Sequence, residues 1–327
     1  MSASAASSAG EGETLVLGTR GSRLALWQAR RVKGELEAAG HAVRLREITT
    51  TGDRRRDAPI SEMNDEAVFT RELDHALLNG EIQLAVHSLK DLPSHVPVGI
   101  TLAAVSERAS PFDAFVAHPS VDGLLADLPE GATLATASLR RRAQLKAWRP
   151  DLDVVPVRGN VDTRLDKLAR SDWHGMILAA CGLRRMGLEG HVREAIAPRV
   201  MLPAVGQGAL GIACASEDAD VRALLRRVLH DDRAGTCAAA ERAFMQAVGG
   251  GCQVPTGAWA RFDDRGDAAG EERLVVSGCI AALDGDPLFR EERTVRPAEA
   301  DPTGRALAEA LLERGGRAVL QDVKRDA

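Results

Sequence analysis

Apolar residues recur along the chain in two alternating rhythms. Residues 14–18 (TLVLG) form an apolar run ending at glycine, and Leu24, Trp27, Ala29 and Leu36 then recur at helical spacing within 21–40. This pattern predicts a strand, a tight turn and a helix. Ser22 is a natural N-cap, so the turn points backbone N–H groups at whatever lies in front of it, and Arg20 stands in the same turn. Residues 41–50 alternate as a strand, 72–80 form a helix ending at Gly80, and 82–89 form another strand. Strands alternating with helices predict an α/β sheet.

The opening logic repeats at 133–149. TLATAS leads into a helix with Ser138 as N-cap and Arg140, Arg141 and Arg142 in its first turn. Three cations at a helix N-terminus oppose its dipole, which makes sense where an anion sits between them. A strand at 153–157, a Gly turn with a helix from 158, and a buried strand at 175–182 complete a second α/β unit. Residues 202–214 contain Gly206, Gly208 and Gly211 in a G-x-G-x-x-G spacing, but the residues after Gly211 read as a strand. The helix N-terminus of a dinucleotide site is therefore missing, and a Gly-rich crossing back to the first unit fits better. A helix at 231–247, the loop 249–255 (GGGCQVP), strands near 256–262, 273–283 and 288–295, and a helix at 303–315 closed by Gly315 and Gly316 predict a small α+β unit. Asp284 and Gly285 mark its hairpin turn. The expected organisation is a disordered tail at 1–12, a discontinuous α/β domain at 13–108 with 209–228, a second α/β domain at 112–203, and an α+β domain at 231–327.

Composition narrows the function classes. With 45% hydrophobic and 27% charged residues in 327, the chain is a folded protein of two to three domains. A net charge of -5 lacks the basic excess of a nucleic-acid binder. All but five of the 42 basic residues are Arg, the side chain suited to forked binding of carboxylate or phosphate. The five Cys form no C-x-x-C pair and the eight His no metal-ligand spacing, so neither a disulfide framework nor a metal site is expected. No apolar run reaches the length of a membrane span, and the N-terminal residues lack the charge and apolar core of a secretory signal. A cytoplasmic monomer is expected, without nucleic-acid or membrane partners.

Three features carry chemistry. Lys90 and Asp91 end an apolar strand that Pro93 stops, so both can project into a crevice at the sheet edge. Cys252 follows three glycines, a setting that holds a thiol on an exposed loop, whereas Cys181, Cys214 and Cys279 lie in apolar runs and are expected to be buried. Arg20, Arg140, Arg141, Arg158, Arg164 and Arg185 come from several turn-to-helix junctions in two domains, which suggests a cleft for a ligand with many acid groups.

The segments TRGSRLALWQA (19–29), AVHSLKDLP (85–93), ASLRRRAQL (137–145), RGNVDTRL (158–165), LPAVGQGALGI (202–212) and GGGCQVP (249–255) together resemble the porphobilinogen deaminase family, also called hydroxymethylbilane synthases. The resemblance implies two domains like the halves of a periplasmic binding protein around a cleft, and a third domain carrying dipyrromethane on a thioether to Cys252. It implies that four porphobilinogen molecules are joined head to tail with loss of ammonia, and that water releases hydroxymethylbilane. By the same match Asp91 is the catalytic carboxylate. Arg20, Ser22, Lys90, Ser138, Arg140, Arg141, Arg158, Arg164 and Arg185 fall on ligands of substrate and cofactor carboxylates.

Two positions depart from the family pattern. Arg23 stands where the family usually has Pro. At 62–67 a Gly- and Lys-bearing lid is replaced by EMNDEA, so that Glu62 and Glu66 take basic positions, with Arg54, Arg55 and Arg56 as nearby compensation. A two-lobed organic-acid binding protein would use the same lobes without chemistry, but it needs neither a third domain nor Cys252.

Overall fold

The computed structural model describes residues 14–50, 70–249, 254–263 and 270–325. The expected tail at 1–12, the segment containing Arg54 to Arg56, Glu62 and Glu66, and the loop bearing Cys252 lie outside the described residues.

Three sheets organise the chain. The first contains β1 (Leu15–Thr19), β2 (Val43–Glu47), β3 (Leu84–Ser88), β4 (Ile100–Val105) and a late strand Leu210–Ala215, in the order β2-β1-β3-late strand-β4. β1 runs parallel to β2 and β3, whereas the late strand is antiparallel to both of its neighbours. Successive β1 residues face opposite sides, as strand geometry requires. Leu17 packs with Ala29, Val32 and Leu36 of α1 (Arg23–Ala38), while Val16 packs with Leu73 and Leu77 of α2 (Arg71–Leu78). Both faces are thereby covered, which is why these strands read as apolar runs.

The second sheet repeats this plan. β5 (Asp113–Ala117), β6 (Thr133–Ala135), β7 (Asp153–Val155), β8 (Gly175–Ala179) and β9 (Glu194–Ala195) lie in the order β7-β6-β8-β5-β9. β6 is parallel to β7 and β8, and β5 is the antiparallel strand. α3 (Leu139–Trp148) follows β6 as α1 follows β1. Ser22 Oγ accepts from Ala25 N and Ser138 Oγ from Arg141 N, so the repeated strand, turn and capped helix of the sequence is a repeated structural unit. α4 (Val161–Ala169) and α5 (Ala180–Arg185) complete the helices of this sheet. The strand expected over 175–182 stops at Ala179, and Ala180 to Gly182 begin α5. An apolar run buried on all sides does not reveal by periodicity where a strand yields to a helix.

The chain returns to the first sheet through 203–209 and the late strand, numbered β10 (Leu210–Ala215). Helix α6 (Ala219–Leu229), absent from the sequence expectation, packs Leu225 and Leu229 beside α1. The third sheet is antiparallel, β11 (Thr256–Asp263), β12 (Arg273–Ala281) and β13 (Leu288–Val295), covered by α7 (Asp232–Val248) and α8 (Ala300–Leu311). Phe244, Val276, Ile280, Leu307 and Leu311 form its core. The helix expected over 303–315 begins at Ala300 and ends at Leu311, and the chain breaks at the expected glycine pair. Gly315, at φ 124°, turns the chain sharply, and α9 (Arg317–Arg325) follows with Val319 and Leu320 in the core.

Two segments cross between the first and second sheets, 106–112 outward and 203–209 on return. They touch: Ala109 N donates to Gly208 O at 3.1 Å. Gly208 has φ +98°, and a Cβ there would collide with the Ala109 carbonyl, so both space and conformation require glycine. Glu241 of α7, fully buried, ties the third sheet to both crossings. Its carboxylate accepts from Arg108 Nη1 at 2.5 Å, Gly206 N at 2.7 Å and Ala260 N at 2.8 Å. Glu241→Ala would leave a guanidinium and two backbone N–H groups without that acceptor, a loss of about 3–5 kcal/mol for a broken buried pair. Urea unfolding should show it as a large drop in midpoint, while Arg305→Ala, in the exposed pair with Asp301, leaves the midpoint nearly unchanged.

Candidate anion-binding active site

Asp91 sits at the end of a short 3-10 turn, Leu89–Asp91, that continues β3. The turn carries the side chains off the sheet edge, because Leu89 and Leu92 are buried and anchor it on either side. Lys90 donates to Gln207 Oε1 at 3.2 Å. After the Asp91 turn, the carbonyls of Pro93 and Ser94 accept from Arg242 Nη2 at 3.0 and 3.1 Å, and Gln246 Nε2 adds a bond to Ser94 O at 2.9 Å. Helix α7 thus grips the segment that follows the catalytic candidate.

Beside Asp91 lies a cavity of about 50 Å³ lined by Arg20, Ser22, Gln28, Thr70, His87 and Ser88. The β1–α1 turn therefore brings two of the expected ligands, Arg20 and Ser22, to the same place as Asp91. Gln28 Nε2 donates to Ser88 Oγ at 2.8 Å and helps fix the wall. His87 is buried with no hydrogen-bond partner for Nε2. Burial, reinforced by Arg20, lowers its pKa from 6.5 to about 4, so the imidazole is neutral at pH 7.

The second sheet supplies the guanidinium groups. Arg164 Nε donates to Gly159 O at 2.8 Å, which folds the side chain back over its own turn. Burial, with Arg141 and Arg158 nearby, lowers the Arg164 pKa to about 10, and the Asp91 carboxylate opposes that shift. Arg185 is also lowered by burial, with Asp91 again among the opposing charges. Its Nη2 donates to Gly208 O at 2.6 Å, its guanidinium lies 5.7 Å from the Trp27 ring centre, and its Nε is buried without a partner. Arg164 thus feels Arg141, Arg158 and Asp91, and Arg185 feels Asp91, so the Asp91 charge of the first sheet reaches two cations of the second.

Arg140 and Arg141 have the expected anion between them. The anion between them is the protein's own Asp113: Arg140 Nη1 donates to Asp113 Oδ2 at 2.7 Å, and Arg141 Nη2 to Oδ1 at 2.8 Å. Arg140 also donates to Leu202 O at 2.6 Å and Arg141 to Ile177 O at 2.9 Å. Burial alone would raise the Asp113 pKa, but the two Arg hold it below the usual carboxylate range. The first-turn cations of α3 are therefore compensated from β5. Arg158 lines a separate open groove of about 740 Å³ with Asp166, Lys167, Arg170 and Trp173, away from the cavity beside Asp91.

Asp113, Gln207, His87 and Arg242 were missed in the sequence reading. Asp113 had a signal, a carboxylate opening an otherwise apolar strand, and Gln207 lies within the quoted LPAVGQGALGI segment. The expected burial of Cys181, Cys214 and Cys279 is observed, and Cys237 is buried as well. Among the described residues no helix is long and apolar enough to cross a membrane.

Arg20 beside Asp91 on the first α/β sheet, and Arg164 and Arg185 from the second, both of which feel the Asp91 charge, make up the site of an anion-binding protein. Residues 15–223 match the family model described as porphobilinogen deaminase, dipyromethane cofactor binding domain, and residues 235–313 match porphobilinogen deaminase, C-terminal domain. The chain belongs to the porphobilinogen deaminase family. It is 50% identical over 313 residues to the porphobilinogen deaminase of Rubrobacter xylanophilus, covering 95% of this chain and 97% of that one. Identity to the Syntrophomonas wolfei enzyme is 44% over 313 residues, covering 95% and 99%. Among solved structures, the methionine binding protein MetQ aligns over 66% of this chain and 89% of its own, with 10% identity and a TM-score of 0.42.

The His87 environment has a consequence for pH. The folded state binds fewer protons than the unfolded state between pH 6.5 and about 4, so the stabilisation is complete above pH 6.5 and is lost as pH falls through 4. His87→Gln should flatten that part of a thermal-midpoint profile, and an unaltered slope would assign the loss to other groups.

Proposed function

We propose that the chain condenses four porphobilinogen molecules head to tail, releasing four ammonia, and frees hydroxymethylbilane by hydrolysis. It acts as a transferase of tetrapyrrole biosynthesis, as a monomer in the cytoplasm. The observation that carries this reading is the pair of partly and fully buried cations, Arg164 and Arg185, that feel the Asp91 charge, with Arg20 beside Asp91. Each porphobilinogen brings an acetate and a propionate, so the growing product is a polyanion that needs fixed cations. The three sheets serve as the cores of three domains, 13–108 with 209–228, 112–203 and 231–327.

The residues present fit dipyrromethane, because the half-buried Arg164 is crowded by Arg141 and Arg158 and carboxylates of a bound group would relieve that crowding. When attached through a thioether to Cys252, dipyrromethane supplies the pyrrole carbon to which the first substrate is joined. Arg20, Ser22, Lys90, Arg158, Arg164 and Arg185 bind and orient carboxylates. Arg140, Arg141 and Ser138 hold the floor behind them, with Asp113 as counter-charge. Loss of ammonia from the aminomethyl group of porphobilinogen leaves a cationic azafulvene. Asp91 stabilises that cation, and its carboxylate is placed to take the pyrrole proton after carbon–carbon bond formation.

Asp91→Asn should fold and keep its cofactor, yet turn over porphobilinogen about 10²–10⁴-fold more slowly, the scale of a positioned acid–base group. Near-normal turnover would remove Asp91 from the mechanism. The cofactor assignment is read by mass spectrometry: the purified protein should be heavier than its sequence by two linked pyrrole units, on the peptide containing Cys252. Cys252→Ser should lose most activity. An active enzyme at the bare sequence mass, or an adduct on another Cys, would contradict the attachment.

A further inference from the structure

Gln207 lies on the return crossing between the two α/β sheets, is buried, and has every polar group engaged. Its Nε2 donates to Pro111 O at 2.7 Å and Asp113 Oδ1 at 3.0 Å, and its main-chain carbonyl accepts from Arg108 Nε at 2.9 Å. Two acceptors around Nε2 leave the amide one orientation, with Oε1 toward the Lys90 ammonium at 3.2 Å. A carboxylate at this position would pair with the lysine charge. The amide holds the ammonium and adds no negative charge of its own.

The contact also joins two parts of the fold. Lys90 belongs to the end of β3 in the first sheet, whereas Asp113 opens β5 in the second and is held there by Arg140 and Arg141. We propose that Gln207 is a positioning residue for Lys90, presenting its ammonium to a substrate carboxylate and keying that position to the arrangement of the two sheets. This rests on the porphobilinogen reading, in which Lys90 is a carboxylate ligand.

The test is a double-mutant cycle on the purified enzyme carrying its cofactor, with Gln207→Met and Gln207→Asn each made alone and together with Lys90→Ala. KM and kcat for porphobilinogen are measured for every variant. With Lys90 present, each substitution should raise KM about tenfold, the scale of a hydrogen bond to a charged group, and should change kcat less. In the Lys90→Ala background neither should raise KM further. Equal increases in both backgrounds, or a fall in kcat at constant KM, would overturn the proposal in favour of a purely structural role. Should Gln207→Met not fold, Gln207→Asn, which keeps an uncharged amide but is one methylene too short to reach Lys90, completes the cycle by itself. A wild-type enzyme that leaves porphobilinogen unconsumed would remove the substrate reading and this proposal with it.

Discussion

Two carboxylates are buried where the three sheets meet, and an isolated carboxylate in such a place would not remain charged. Each is therefore surrounded by donors, and those donors come from different parts of the chain. Glu241 gathers Arg108 from one crossing, the Gly206 N–H from the other and the Ala260 N–H from the third sheet. Asp113 gathers Arg140 and Arg141 from α3 and Gln207 from the return crossing. Neither set is complete unless the sheets sit in one mutual arrangement. Apolar packing holds each sheet and its helices together, and these directional bonds specify how the units face one another.

The same electrostatics separates two classes of Arg. Arg140 and Arg141 oppose the dipole of α3, but Asp113 and two main-chain carbonyls compensate them within the protein. Arg164, half-buried, and Arg185, buried, have lowered pKa values, and the compensation they receive includes the more distant charge of Asp91. A cation in that condition gains most from an added carboxylate, since burial has removed water and neighbouring Arg have raised the local potential. Asp91 is the carboxylate whose charge both of these cations feel.

Local features were legible in the sequence. Ser22 and Ser138 cap their helices through bonds spanning three residues, and the strand, turn and helix around each followed from periodicity alone. The return crossing was read correctly because a strand after Gly211 excluded the alternative. What escaped depends on distance along the chain: Glu241 and Arg108 are 133 residues apart, and nothing near either one names the other. Arg140 and Arg141 illustrate the same limit. Their need for an anion was visible locally, but whether it came from Asp113 or a ligand was decided by packing. The glycine pair was read correctly as the end of a helix, but the helix beyond it was missed, because Val319 and Leu320, apolar and buried, are all that signals it.

Helix α7 links the hinge to the chemistry. Near its middle Glu241 binds the crossings, one residue later Arg242 takes the carbonyls of Pro93 and Ser94, and one turn on Gln246 takes Ser94 again. These side chains leave one rigid element, so the Asp91 segment and the crossings are referenced to the same rod. The helix ends at Gly249, in the left-handed conformation at φ 68°, and in the sequence Cys252 follows three residues later.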